Sequence, residues 1–186
     1  DNVNLYTENI IQNKNKADEL DNGPRLAGQV TQEIKMEDNF FYKNIKTTLD
    51  DALCKYVFHS LQGFESKDEV KKKILIQYHT AWIVRQFENE YNPLHLHTGS
   101  VSGVCYTMLP ENFGEKAQKN KKENPNGCIV LAHGSQQFTS PAIKVIKPEV
   151  GKFILFPNYL LHSVYPFKGN GERRSFSFNA SINLKK

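Results

Sequence analysis

The chain has 186 residues, of which 39% are hydrophobic and 24% are charged, and its formal net charge is +4. A chain of this length and composition can bury a sizeable core, which excludes a disordered or collagen-like protein. The small positive charge does not by itself indicate a nucleic-acid partner.

The first 73 residues read as an arm followed by helices. Residues 1–24 are polar and end in the turn "DNGP", which predicts an extended arm with one helical stretch near 7–20. Between Phe41 and Leu61 an apolar residue recurs every four positions, and Gly63 follows. This spacing predicts a helix over 39–62. The charged run 66–73 begins a further element.

The residue composition changes at Ile74, where short segments rich in Val, Ile, Phe and Tyr begin, each bounded by Gly, Pro or Asn. Repeated segments of this kind predict an antiparallel sandwich or barrel. Residues 111–127 have no apolar period and are expected to form a surface loop. We expect one domain over 1–186, with the arm and helices in 1–73 and the β-rich core in 74–186.

Membrane and secretion signals and the spacing of the cysteines indicate in which cellular compartment the protein is expected. No run of about 18 apolar residues and no signal-peptide pattern occur, so neither a transmembrane helix nor secretion is predicted. Cys54, Cys105 and Cys128 form no CxxC pair, which is typical of reduced thiols. These features predict a soluble, cytoplasmic protein that does not act at a membrane.

Two histidines, His95 and His97, lie in the stretch "NPLHLHTGSVSG". Side chains of a strand alternate between its faces, so both imidazoles point the same way and can share a metal. A simple hydrogen-bonded pair is the alternative. His162 follows the strand and turn "GKFILFPNYLLH", and a folded barrel could bring it to the pair as a third ligand. His133 is the rival candidate.

The segment "ERRSFSFNASI" begins ten residues after His162 and has two different faces. One carries Arg173, Ser175, Ser177 and Asn179, and the other carries Arg174 with core aromatic residues. The polar face would be an ordinary edge if it met solvent. If it faces the histidines, Arg173 offers a guanidinium fork suited to a carboxylate.

These motifs, in this order, resemble the Fe(II)/2-oxoglutarate-dependent oxygenases, and in particular a small phage and bacterial group of them. The resemblance rests on "HLHTGSVSGVCY", "ILFPNYLLH" and "RRSFSFN", with a weaker likeness in "LDNGPRLAGQVTQE". It implies a mainly β double-stranded β-helix, or jelly roll, with amino-terminal helices. His95, His97 and His162 would hold the metal, Arg173 would bind the far carboxylate of 2-oxoglutarate, and Ser175 would lie beside it.

The reaction implied by the resemblance is hydroxylation of a small molecule or a protein side chain, using O2 and releasing succinate and CO2. An iron held by three ligands on one face keeps positions open for the keto acid and O2. The family's usual first motif ends in Asp or Glu, whereas here His97 occupies that position. An all-imidazole site would also suit zinc or nickel.

Two alternatives remain at this point: a cupin-like metal enzyme that does not use 2-oxoglutarate, and a jelly-roll binding module without catalysis. The lysine-rich run 116–122 could attract phosphates, but it lacks aromatic residues for base stacking, so a nucleic-acid partner is not expected.

Overall fold

The computed structural model describes residues 2–185. The helices are α1 (Asn2–Ile11), α2 (Lys14–Glu19), α3 (Asp38–Asn44), α4 (Lys46–Ser60) and α5 (Lys67–Lys73), with a short 3-10 helix at Gly23–Arg25. None of these helices, within the described residues, is both long and apolar enough to cross a bilayer.

Within residues 2–185, nine strands form two antiparallel sheets. The strands are β1 (Gln32–Lys35), β2 (Ile74–Gln86), β3 (Asn92–His95), β4 (Val101–Met108), β5 (Ile129–Ala132), β6 (Ile143–Ile146), β7 (Phe153–Pro157), β8 (Leu161–Val164) and β9 (Arg173–Leu184). The major sheet has the order β1-β2-β9-β4-β7, and the minor sheet has the order β3-β8-β5-β6. All of the pairings within the two sheets are antiparallel.

The helices cover the outer face of the major sheet. Leu49 and Leu53, one turn apart on α4, pack in one cluster with Phe176 and Phe178 of β9. A second cluster, which includes Val104 and Ile154, packs between the two sheets. Because side chains alternate along β9, burying Phe176 and Phe178 under the helices turns the polar face of that strand toward the interior of the barrel.

The amino-terminal third differs from its prediction in three respects. The predicted helix over 39–62 is two helices that meet at Ile45, and the predicted arm is already helical from Asn2. Gln32–Lys35 pairs with β2, so this part of the chain adds an edge strand to the major sheet. A four-residue strand has too short a pattern to be recognised from sequence. The predicted loop over 111–127 contains neither helix nor strand.

Helix α1 is fixed to β9 by a partly buried ionic network. Arg174 is 1% exposed and forms ion pairs of 2.6 Å with both Glu8 and Glu172. Arg85 donates to both oxygens of Glu172, at 3.0 and 2.9 Å. Burial alone would raise the pKa of Glu172, but the hydrogen bonds from both guanidiniums lower it. Arg174 is therefore a structural residue with its charge fully compensated.

The buried carboxyl of Glu33 in β1 should make the free energy of unfolding depend on pH. Glu33 is 2% exposed, and its Oε2 has no hydrogen-bond partner among residues 2–185. Burial, with a contribution from Asp21, raises the pKa of Glu33 from 4.5 to about 7. Between these values the folded state binds more protons than the unfolded state, so the contribution of Glu33 to stability falls as pH rises.

Glu33→Gln should therefore stabilise the protein by roughly 2–3 kcal/mol at pH 8 and by much less at pH 5, because the amide cannot ionise. Urea unfolding of the metal-free protein at both pH values measures this difference. Equal changes in the free energy of unfolding at pH 5 and pH 8 would contradict the assigned role of the Glu33 carboxyl.

Candidate metal centre

The minor sheet brings two of the three histidines together by strand pairing. His95, at the end of β3, lies directly opposite His162 on β8. His97 follows β3, and its backbone is held by Asn158: the His97 N–H donates to the Asn158 carbonyl, and the Asn158 Nδ2 donates to the His97 carbonyl. Strand register and a turn thus place all three rings at one end of the barrel.

The distances between the rings suit a metal ion. The Nε2 atoms of His97 and His162 are 3.1 Å apart. One ring nitrogen from each of His95, His97 and His162 lies within 4.8 Å of the others. Metal–nitrogen bonds of about 2.1 Å at right angles place neighbouring nitrogens about 3 Å apart. The His97–His162 separation matches this value, and the third nitrogen would come into range by rotation of side chains without a change of strand positions.

Backbone carbonyls fix the orientation of two of the rings. The His95 Nδ1 lies 2.7 Å from the Pro93 oxygen, and the His162 Nδ1 lies 3.0 Å from the Leu160 oxygen. A carbonyl only accepts hydrogen bonds, so each Nδ1 must carry the proton. The Nε2 lone pairs then face the centre of the cluster, which is the usual arrangement for metal-binding histidine.

The surroundings keep the imidazoles neutral. Burial lowers the pKa of His95, although the hydrogen bond to Pro93 opposes this effect. Burial and the neighbouring rings lower the pKa of His97 to about 3. Burial and His95 lower the pKa of His162 to about 4, against an opposing contribution from the Leu160 carbonyl. Neutral imidazole is the form that binds metals.

Arg173 faces the same cavity from the major sheet. It is 2% exposed, and its Nε donates to the Gly127 carbonyl at 3.0 Å. Its guanidinium carbon lies 4.9 Å from the centre of the Tyr106 ring. Among residues 2–185, no carboxylate lies within 4.0 Å of this guanidinium. Burial lowers its pKa, yet arginine remains charged in proteins. A buried cation of this kind requires an anion.

The cavity between the sheets offers about 50 Å³ to the centres of water-sized molecules. The structure brings together around it five residues predicted as ligand-binding, namely His95, His97, His162, Arg173 and Ser175. Ser177 and Trp82 also line it, and Trp82 lies 5.7 Å from the His97 ring between ring centres. Asn179 instead accepts a hydrogen bond from Ser102. The rival ligand His133 packs against Tyr159, outside the cluster.

Tyr106, for which the sequence favours a core role over a place in the cavity wall, is fully buried in the second cluster and contacts the site through Arg173. It pairs in register with Ser175, and its buried hydroxyl has no hydrogen-bond partner among residues 2–185. Burial raises the pKa of Tyr106, and nearby Arg173 opposes that effect. The alternation along "SGVCY" puts Ser102, Val104 and Tyr106 on one face, which is the signal that could have indicated its position.

Comparison with known families gives one sequence match. A family described as "Putative 2OG-Fe(II) oxygenase" matches residues 80–179, which is more than half of the chain and includes all five residues predicted as ligand-binding. No curated protein sequence matches the chain.

Several solved structures share the fold at low sequence identity. An oxidoreductase of the 2OG-Fe(II) oxygenase family from Burkholderia pseudomallei has a TM-score of 0.54 and 16% identity, with 88% of this chain and 75% of that chain covered. A Pseudomonas putida prolyl-4-hydroxylase has a TM-score of 0.50 and 15% identity, with 91% of this chain and 82% of that chain covered. HygX from Streptomyces hygroscopicus, with nickel and 2-oxoglutarate bound, has a TM-score of 0.52 and 13% identity. The match covers 85% of this chain and 74% of that chain. The predicted jelly-roll fold is confirmed.

Proposed function

This chain belongs to the putative 2OG-Fe(II) oxygenase family, and from that premise we propose that His95, His97 and His162 hold the iron and that Arg173 binds 2-oxoglutarate. Membership makes the protein an oxidoreductase that uses Fe(II), 2-oxoglutarate and O2. The observation that carries the assignment of residues is the buried Arg173, which has no carboxylate partner among residues 2–185 and shares a cavity with three neutral imidazoles.

The reaction transfers one oxygen atom of O2 to a C–H bond of the substrate and the other to the keto acid, which becomes succinate and CO2. Iron, when bound, supplies the activation of O2. The chain supplies orientation: the Nδ1–H bonds of His95 and His162 to backbone carbonyls hold the rings so that both Nε2 lone pairs point inward.

The deep end of the cavity is suited to the far carboxylate of the keto acid. The Arg173 guanidinium can donate two parallel hydrogen bonds, Ser175 lines the cavity with it, and the guanidinium lies over the ring of the buried Tyr106. Apolar walls from Val104, Ile129 and Phe156 limit access of water, which strengthens these charge-assisted bonds. Tyr106 is thus proposed to position Arg173, while Arg173 and Ser175 are the proposed co-substrate contacts.

The absence of a carboxylate ligand has an electrostatic consequence. No Asp or Glu side chain joins the three histidines in the described part of the chain. A divalent metal bound there keeps its full positive charge, which favours the anionic keto acid as a further ligand. Imidazole also suits nickel and zinc, so these metals should compete with iron.

Three broader assignments accompany this proposal. The substrate is a small molecule or a protein side chain. The ion pairs of Arg174 tie α1 to β9, which supports one oxygenase domain over the whole chain. The free thiols Cys54, Cys105 and Cys128 support a reducing, cytoplasmic setting.

Co-product formation tests the proposed function without knowledge of the substrate. Protein supplied with Fe(II), 2-oxoglutarate and O2 should form succinate slowly, through turnover uncoupled from hydroxylation, and omission of any one of the three should stop it. Mass spectrometry measures succinate. Under anaerobic conditions, adding 2-oxoglutarate to the iron-loaded protein should produce a weak visible charge-transfer band. A cupin-like enzyme without a keto-acid site would give neither signal.

A further inference from the structure

Asn92 occupies a position in the cavity wall that the assignments above leave unused. It belongs to β3, pairs with Val164 of β8, and lines the cavity with the histidines and Arg173. Val164 is two residues beyond His162 on β8. At 3.3 Å per residue, the Asn92–Val164 pair therefore lies about 6.6 Å along the strand from the His95–His162 pair. Asn92 therefore lies beyond the histidines on the minor sheet.

The Asn92 side chain has an unmet hydrogen-bonding requirement. Its Oδ1 is buried and has no partner among residues 2–185. A buried amide oxygen without a partner destabilises a protein, and native structures keep few such groups. The oxygen and nitrogen of the amide exchange places by a 180° rotation of the group, so either atom can face the cavity. The amide is therefore available to a ligand.

The chemistry of the cavity indicates which ligand this is. Arg173 and Ser175 offer donors on the major-sheet wall, and 2-oxoglutarate consists of acceptor oxygens joined by a short carbon chain. We propose that Asn92 is a further co-substrate-binding residue, whose Nδ2 donates from the minor sheet to an oxygen of the keto acid. This inference rests on the proposed function of the same cavity.

Replacement by leucine tests the inference, because leucine keeps a similar volume and removes the amide. Asn92→Leu should bind 2-oxoglutarate about 10-fold more weakly, measured by calorimetry on Ni(II)-loaded protein, while the affinity for Ni(II) stays unchanged. The melting temperature of the metal-free protein should rise by roughly 2–4 °C, since a buried unpaired group is lost. A residue with a merely structural role would lower that temperature.

Two further variants complete the test. Asn92→Asp places a carboxylate beside the dicarboxylate and should weaken its binding by about 100-fold, through repulsion in a partly buried site. Asn183→Leu, the same exchange at an exposed position of β9, should leave the affinity for 2-oxoglutarate unchanged.

The outcomes separate this inference from the proposed function. If Ni(II)-loaded wild type binds 2-oxoglutarate and Asn92→Leu binds it equally well, the role of Asn92 is wrong and the proposed function stands. If Asn92→Leu loses Ni(II) or melts at a lower temperature, Asn92 is structural and the inference is overturned. If wild type binds no 2-oxoglutarate, the proposed function itself fails.

Discussion

His162→Ala should bind Ni(II) or Fe(II) at least about 100-fold more weakly than wild type. Loss of groups that merely orient metal ligands costs 10- to 100-fold in affinity, and loss of a ligand should cost more. His162 is 4% exposed, and its Nε2 lies 3.1 Å from that of His97. The two ring nitrogens are therefore in direct contact, with no water between them. Competition against a chromogenic chelator measures the affinity, and succinate formation should stop.

The matched control is His133→Ala, which removes a histidine that packs against Tyr159 outside the cluster. This variant should retain the metal affinity of wild type. An unchanged metal affinity in His162→Ala, or an equal loss in both variants, would contradict the assignment of the three-histidine cluster as the metal site.

Arg173→Met should lose at least about 30-fold in affinity for 2-oxoglutarate, because removing one partner of a buried charge pair typically costs 2–5 kcal/mol. Metal affinity should change little, since Arg173 contacts the Gly127 carbonyl and the Tyr106 ring rather than a histidine. Calorimetric titration of 2-oxoglutarate into Ni(II)-loaded protein measures the loss. The protein without ligand should be no less stable, because methionine replaces a buried, unpaired charge.

Two variants show whether the guanidinium fork matters. Arg173→Lys keeps the charge but cannot donate two parallel hydrogen bonds, so its affinity for 2-oxoglutarate should fall between those of wild type and Arg173→Met. Arg25→Ala removes an exposed arginine from the 3-10 helix and should have no effect. Wild-type binding by Arg173→Met would show that the keto acid is bound elsewhere.

The placement of Arg173 could be predicted from sequence because it depends on the two-residue period of strands, while its binding role stays a prediction. His97 lies beyond the end of β3, so its contacts with Asn158, and not that period, hold it near His95. The period does separate Arg173 from Arg174 on β9. The structure shows the same separation: Arg173 faces the cavity, and Arg174 is paired with Glu8 and Glu172 beneath the helices. The preference for Arg173 over Arg174 rests on strand parity together with the Arg-x-Ser pattern of the family resemblance, and Phe176 and Phe178 lie buried on the opposite face.

The remaining features depend on contacts between distant segments, which periodicity does not specify. Whether the Tyr106 hydroxyl has a hydrogen-bond partner depends on β9, which Tyr106 meets at Ser175, 69 residues farther along the chain. The roles of Asn92 and of the carbonyls of Pro93 and Leu160 appear only when β3 meets β8. Helix boundaries near Ile45 and the short strand β1 were missed because local propensity is weak beside tertiary packing.

Diffraction from crystals of the protein with Mn(II) and 2-oxoglutarate is the most direct measurement of the metal site and its arginine. We predict one anomalous peak about 2.1–2.3 Å from a ring nitrogen of each of His95, His97 and His162, with a carboxylate in hydrogen-bonding contact with Arg173. A peak bound by other residues, or a dicarboxylate lying away from Arg173, would contradict the account.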